Sequence, residues 1–226
     1  MQKASEFIYE CFKININFIA GHVALAIILE RQGKFEEAIN NLKKVISLEK
    51  NNVVGLRNLG AIYSHIGNLD QAVIYLEKAI KIKPNDYETK FVLGQIQLYQ
   101  MNFAEGWKNY ESRWLCNDFK GKFFSSSKSL LKELNKTKKI FLWSEQGVGD
   151  QIMYGSLLNE FSKMCKLLTV RIDKRLICLF EKKNPKIKFI SQNEKVNETD
   201  FDNHLSIADL GKFLRYEKKQ FNNVVF

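Results

Sequence analysis

The sequence predicts an α + α/β chain: a helical-repeat solenoid over the first half, then a parallel-sheet unit built on half of a doubly wound, Rossmann-like pattern. Three observations carry this. Residues 19 to 115 repeat with a period of 34. The period stops near residue 116. After Lys139 short apolar runs alternate with amphipathic segments, starting with FLWSEQGVGDQIMYGSLL. A chain of 226 residues holds two modest domains, each with a core.

Sliding the sequence by 34 sets residues 19–52 on 53–86. Leu25 meets Leu59, Ala26 meets Gly60, Leu29 meets Tyr63 and Gly33 meets Gly67. In the second helix Ala38 meets Ala72, Leu42 meets Leu76 and Val45 meets Ala79. Each unit reads as two antiparallel helices whose small residues allow close approach and whose apolar stripes meet the next unit. Gly67 suits a turn that needs a positive backbone angle, and Pro84 stands beyond a helix it could not continue. A third copy spans 87–115, with Gln97 and Met101 where the second has Tyr63 and Gly67. Its second helix, FAEGWKNYESRW, gathers Phe103, Trp107, Tyr110 and Trp114 on one face. The first residues extend the register backwards. Ala4, Ile8 and Cys11 take the small, large and small places of a second helix, so the chain is expected to begin in mid-repeat.

Residues 116–138 have no long periodic segment, six lysines and a Ser triplet, and read as a linker partly ordered by Phe123 and Phe124. Residues 139–226 then form the α/β unit. KIFLWSE, LLTVRID and KIKFISQ are strand candidates, and QIMYGSLLNEFSKMCK and KRLICLFEKK are helices. HLSIADLGKFLR is a strand or a short helix, before the closing NNVVF. Near-continuous apolar strands separated by helices predict a parallel sheet covered on both faces.

The glycine turn Gly147-Val148-Gly149-Asp150 joins the first strand to the next helix, a place that commonly holds a ligand. A dinucleotide fingerprint needs G-x-G-x-x-G, and the third place is Ile152; Asp173 stands about where a ribose-binding acid would. No Walker loop exists. Asp150 ahead of a helix also fits an N-cap, and the two glycines fit a tight turn.

The 34-residue copies, VVGLRNLGAIYSHIGNLDQAVIYLEKAIKIKP above all, resemble the tetratricopeptide repeat. Together with FAEGWKNYESRW and WSEQGVGDQIMYGSLL they resemble bacterial repeat proteins fused to a glycosyltransferase-like domain of the GT-B, heptosyltransferase-like type. The resemblance runs from residue 19 to about 215. It implies that Glu145, Gln146, Gly147, Gly149 and Asp150 form an acceptor-side substrate loop, and that FDNHLSIADL places Phe201, Asp202 and His204 in a recurring F-D-x-H segment. It implies Asp150 as the base acting on the acceptor hydroxyl, and His204 as a substrate contact. A full-length relative would use a nucleotide sugar as donor substrate; no cofactor is implied. The donor lobe of such an enzyme lies C-terminal to this stretch, so the chain by itself is expected not to catalyse transfer.

Composition bounds the rest. No apolar run approaches the length of a membrane span, and the N-terminus lacks a signal-peptide pattern. Cys11, Cys116, Cys165 and Cys178 are scattered without metal spacing, which fits a reduced, cytoplasmic setting. The net charge of +10 sits mostly after residue 115 and is lysine-dominated, with 6 arginines in the chain, against the Arg and aromatic usage of nucleic-acid readers. The expected partners are a protein segment in the repeat groove and a glycan acceptor. The rival reading is a pure interaction module whose α/β half caps the aromatic face of the third repeat; a dinucleotide binder is the third.

Overall fold

The computed structural model describes residues 2–117, 119 and 123–221. Positions 118, 120–122 and 222–226, which include part of the expected linker and the closing NNVVF, lie outside the described residues. The chain divides into two compact units, Met1–Asn117 and Asp118–Phe226.

The first unit consists of α1 (Gln2–Ile14), α2 (Ile19–Arg31), α3 (Phe35–Leu48), α4 (Val53–His65), α5 (Leu69–Ile82), α6 (Tyr87–Tyr99) and α7 (Phe103–Tyr110). The pairs α2/α3, α4/α5 and α6/α7 are the three repeats. Asn52 and Asn68 begin α4 and α5 by accepting from the backbone N–H three residues on, which satisfies an otherwise orphaned donor. Gly33 and Gly67 sit at φ 75° and 80°. Each lets the chain reverse while the following N–H reaches back to Leu29 or Tyr63. Leu25, Ala26, Leu29, Ala38, Leu42, Leu59 and Ile62 form one core, and Ala72, Leu76, Leu93 and Ile96 the next.

Three differences from the repeat pattern have physical causes. Met101 takes the place of the turn glycines at φ 61°, where its Cβ crowds the backbone. Met101→Gly is therefore expected to stabilise the first unit by about 0.5–1 kcal/mol, the relieved strain less the entropy glycine adds to the unfolded chain. Urea unfolding measures this, and a loss of stability would contradict it. Secondly, the last helix tightens to a 3-10 turn over Glu111–Leu115. There Arg113, in the register place of Val45 and Ala79, is fully buried, with its guanidinium 4.4 Å from the Tyr110 ring and 4.3 Å from Trp114. Thirdly, Ile8 and Phe12 of α1 pack on the first core as the register demands, but Ala4 in the small position is exposed.

The second unit is a four-stranded, all-parallel sheet in the order β3-β2-β1-β4. Its elements are β1 (Lys139–Trp143), α8 (Val148–Gly155), α9 (Leu158–Ser162), β2 (Leu167–Ile172), α10 (Lys174–Lys183), β3 (Lys188–Ser191), β4 (Asn203–Ser206) and α11 (Leu210–Leu214). The segment expected as one helix is thus two, broken beyond Gly155, whose missing side chain admits the Phe180 ring of α10. HLSIADLGKFLR is both a strand and a helix, joined by a 3-10 turn over Ile207–Asp209.

Alternation divides the sheet into two unlike faces. Ile140, Leu142, Leu168, Val170, Ile172 and Leu205 pack with Leu158, Phe161, Leu176, Phe180, Leu210 and Leu214 of the helices. The other face presents Phe141, Trp143, Thr169, Arg171, His204 and Ser206, which are polar or aromatic. It is not covered by a helix of this unit, contrary to the expectation. Phe124 packs there on Phe141 at 4.9 Å and His204 at 5.4 Å, and Phe123 on Trp143 at 5.4 Å. The expected linker is therefore in part a sheet element. Leu130 bridges to His204 in parallel, Leu131 N donates to the His204 carbonyl at 2.9 Å, and Leu131 is buried. The Ser triplet is tied down as well, Ser126 and Ser127 both donating to Glu198.

Candidate functional site

The site grows from the end of β1. Ser144 N donates to the Arg171 carbonyl at 3.1 Å, carrying the β1–β2 ladder one step past Trp143 before the chain turns. Gln151, 1% exposed, then braces the turn. Its Nε2 donates to the Gln146 carbonyl at 3.1 Å, and its Oε1 accepts from Asp173 N at 2.8 Å. One buried amide thus locks the loop after β1 to the loop after β2. The sequence reading passed over Gln151; its signal was an amide on the inner face of a helix.

Beyond this brace lies a cleft of about 780 Å³ at the carboxyl ends of β1, β2 and β3, where ligands of open parallel sheets usually bind. Phe123, Phe124 and Trp143 provide aromatic wall, and Ser144, Gln192 and Asn193 add polar atoms. Of the expected site residues, Glu145, Gln146, Gly147 and Asp150 line it together; Gly149 and His204 do not.

Asp150 is not an N-cap. The cap of α8 is Gly147, so Asp150 is the third helical residue, and its side chain makes no hydrogen bond or ion pair to any described residue. The helix N-terminus still favours its charge. Nor do the glycines serve a left-handed turn. Gly147 has φ −67° and ψ 173°, and the positive-φ glycines of the described residues are Gly33 and Gly67. A Cβ at Gly147 would meet only Asp150 Oδ2, at 3.7 Å, and one at Gly149 would meet open space. Packing among the described residues therefore requires neither glycine. Glu145 is buried beside them, its Oε1 accepting from Gln146 Nε2 at 3.2 Å.

His204 serves the fold instead of a ligand. It is 2% exposed, its Nδ1 accepts from Trp143 Nε1 at 3.1 Å, and its Nε2 donates to the Lys128 carbonyl at 3.0 Å. Both ring nitrogens are thus used in the neutral Nε2–H form. Burial holds its pKa below the ordinary histidine value, against the opposing Lys128 hydrogen bond and the Glu198 charge. The rest of the F-D-x-H segment is structural too. Asp202 accepts from Lys139 N through Oδ2 and donates its own N–H to the Lys139 carbonyl, each at 2.8 Å, while Phe201 packs on Phe141 at 5.2 Å.

Asp173, the acid of the dinucleotide reading, caps α10 and forks onto Arg175 at 2.9 and 2.8 Å, which holds its pKa down at about 2. It does not line the cleft. Arg171 does, with its pKa lowered by burial. No group of three or more His, Cys, Asp or Glu side chains among the described residues could hold a metal ion. No helix among them is long and apolar enough to cross a membrane.

Helix pairs at a 34-residue period define the first unit as a tetratricopeptide-type repeat array, and residues 19–85 match the tetratricopeptide repeat family. Among curated proteins, the chain is similar to Protein FlbA of Caulobacter vibrioides, 23% identical over 227 residues, an alignment covering 75% of this chain and 35% of FlbA. It is also similar to the Protein CTR9 homolog of Arabidopsis thaliana, 27% identical over 79 residues, covering 35% of this chain and 7% of that protein. The chain thus spans about a third of the length of FlbA. Three quarters of this chain is more than the first unit occupies, so the FlbA alignment extends into the sheet unit. Among solved structures, a crystal structure of MamA has 19% identity and a TM-score of 0.43, covering 48% of this chain and 63% of that one. A MamA RS-1 ArsTM double mutant has 21% identity and a TM-score of 0.44, covering 49% and 62%.

Proposed function

We propose that the sheet unit is the acceptor-side lobe of a GT-B, heptosyltransferase-like architecture, that its cleft holds a carbohydrate, and that the repeats hold a protein segment. The observation that carries this reading is the placement of Asp150: a carboxylate without a partner among the described residues, at the lip of a cleft walled by aromatic rings and amides. Aromatic faces stack on the apolar faces of sugar rings, and Gln146, Gln192 and Asn193 match hydroxyls as donors and acceptors. In the reaction this architecture implies, Asp150 takes the proton of the acceptor hydroxyl as its oxygen bonds to the anomeric carbon, and the bond to the nucleotide breaks. In the first unit, a groove of about 620 Å³ lined by Ala61, Ser64, His65, Val92, Gln95 and Tyr99 lies between α4 and α6, with the apolar and hydrogen-bonding character that suits a peptide.

Calorimetry with acceptor glycans and nucleotide sugars, on wild type and Asp150→Asn, tests the reading. The expected result is glycan binding by wild type, weakened about tenfold or more in Asp150→Asn, since hydrogen bonds to a charged group contribute about 1.5–3 kcal/mol. The melting temperature should fall only slightly, by the loss of a charge at the helix N-terminus, about 0.3–1 kcal/mol, because Asp150 bonds no described residue. Absence of glycan binding by wild type would leave an interaction module.

A further inference from the structure

The cleft contains a cation without a counter-ion among the described residues. Arg171 is the strand partner of Trp143, and its guanidinium lies 5.1 Å from the Phe124 ring centre and 5.0 Å from that of Phe141. No hydrogen bond or ion pair from any described residue reaches it, and its Nε is buried without an acceptor. Other arginines held in the protein are treated differently. Arg57 pairs with Asp86, Arg215 with Glu160, and Arg113 donates to the Tyr110 carbonyl. Two aromatic faces offset part of the cost of drawing a guanidinium out of water, but they accept none of its N–H groups. A planar fork with unused donors, flanked by two aromatic rings, is matched by the two oxygens of a carboxylate or a phosphate.

We propose that Arg171 is the specificity residue of the cleft and pairs with an anionic substituent, carboxylate or phosphate, on the carbohydrate whose hydroxyl meets Asp150. This rests on the carbohydrate reading of the same cleft. Opposite charges on two elements, Asp150 in the first turn of α8 and Arg171 near the end of β2, then orient the ligand. The hydroxyl to be deprotonated goes to the carboxylate, and the anionic group goes to the guanidinium.

The test is titration of the whole chain with glucose, glucuronate, glucose 6-phosphate and inorganic phosphate, followed by NMR, for wild type, Arg171→Gln and Arg171→Lys. Wild type should bind glucuronate or glucose 6-phosphate about tenfold or more tightly than glucose, the range expected for a charge-assisted hydrogen bond. Arg171→Gln should bring the acidic sugars down to the level of glucose. Arg171→Lys should recover part of the difference, because it keeps the charge and loses the fork. Preference for one acidic sugar over the other distinguishes carboxylate from phosphate. Equal binding of glucose and both acidic sugars, unchanged in Arg171→Gln, overturns the role of Arg171 and leaves the carbohydrate reading standing. Arg171-dependent binding of inorganic phosphate with no sugar bound supports the anion subsite and overturns the carbohydrate reading. No binding of any probe overturns both. Unfolding midpoints confirm that the variants are folded, and if Arg171→Gln is not, wild type and Arg171→Lys decide.

Discussion

Gly94→Val is expected to unfold the third repeat or cost the first unit more than about 3 kcal/mol, at the upper end of what overpacking does. The places Ala26, Gly60 and Gly94 are equivalent in the 34-residue register, but their neighbours are not. A Cβ at Gly60 would meet the Leu76 side chain at 2.6 and 2.8 Å, with one backbone atom, the Ala72 carbonyl oxygen, further off at 3.1 Å. At Gly94 it would meet Tyr110 N at 2.5 Å, the Asn109 carbonyl carbon at 2.8 Å and the Gly106 carbonyl oxygen at 3.0 Å. These are backbone atoms of α7, and they can yield only by moving the helix. Chemical unfolding of Gly94→Ala, Gly94→Val and Gly60→Ala measures this. The order of loss should be Gly94→Val, Gly94→Ala, Gly60→Ala, and a tolerated Gly94→Val would show that α6 and α7 are not so closely apposed.

Trp143→Ala is expected to cost the sheet unit about 3–5 kcal/mol, the range for removing a large aromatic side chain from a core. Trp143 is 2% exposed and packs near Phe123 and Phe124. Its Nε1 is also the donor to His204 Nδ1, so truncation leaves a buried acceptor unsatisfied. Trp143→Phe retains most of the ring and isolates that hydrogen bond, with an expected loss of about 1–3 kcal/mol. Because Trp143 also walls the cleft, a folded Trp143→Phe variant should bind glycan more weakly. Thermal unfolding and calorimetry on the same samples separate the two effects.

What could be read from the sequence follows from how locally each feature is encoded. The repeats were legible because every copy solves one packing problem with one set of residues; Leu42 and Leu76, or Gly33 and Gly67, hold the same place twice. The strands were legible as apolar runs between turn residues. The cover over the second face of the sheet was not. Phe123, Phe124 and Leu131 lie in a segment with neither helical nor strand period, and their partners Phe141, Trp143 and His204 are distant in sequence. Four residues of the loop, Glu145, Gln146, Gly147 and Asp150, follow from a motif, and the structure gathers them in one cleft. Asp150 was misread as a cap because an acid before a helix usually is one. The helix in fact starts earlier, at Val148, with Gly147 as the cap. His204 is a substrate contact only by the resemblance of its segment to F-D-x-H, whereas the fold engages both its nitrogens, with Trp143 and Lys128. Arg171 is unmarked within the strand LLTVRID; its lack of a partner among the described residues is a property of three dimensions.

The central claim is that a carbohydrate lies against Asp150 in the sheet unit. Chemical-shift mapping of the whole chain during titration with a bound glycan tests it most directly. The account predicts the largest shifts at the amides of Gly147 and Asp150 and at the Trp143 indole N–H, all of them lining or bordering the cleft. Shifts confined to the helical repeats, or no shift in the sheet unit at saturation, would contradict it.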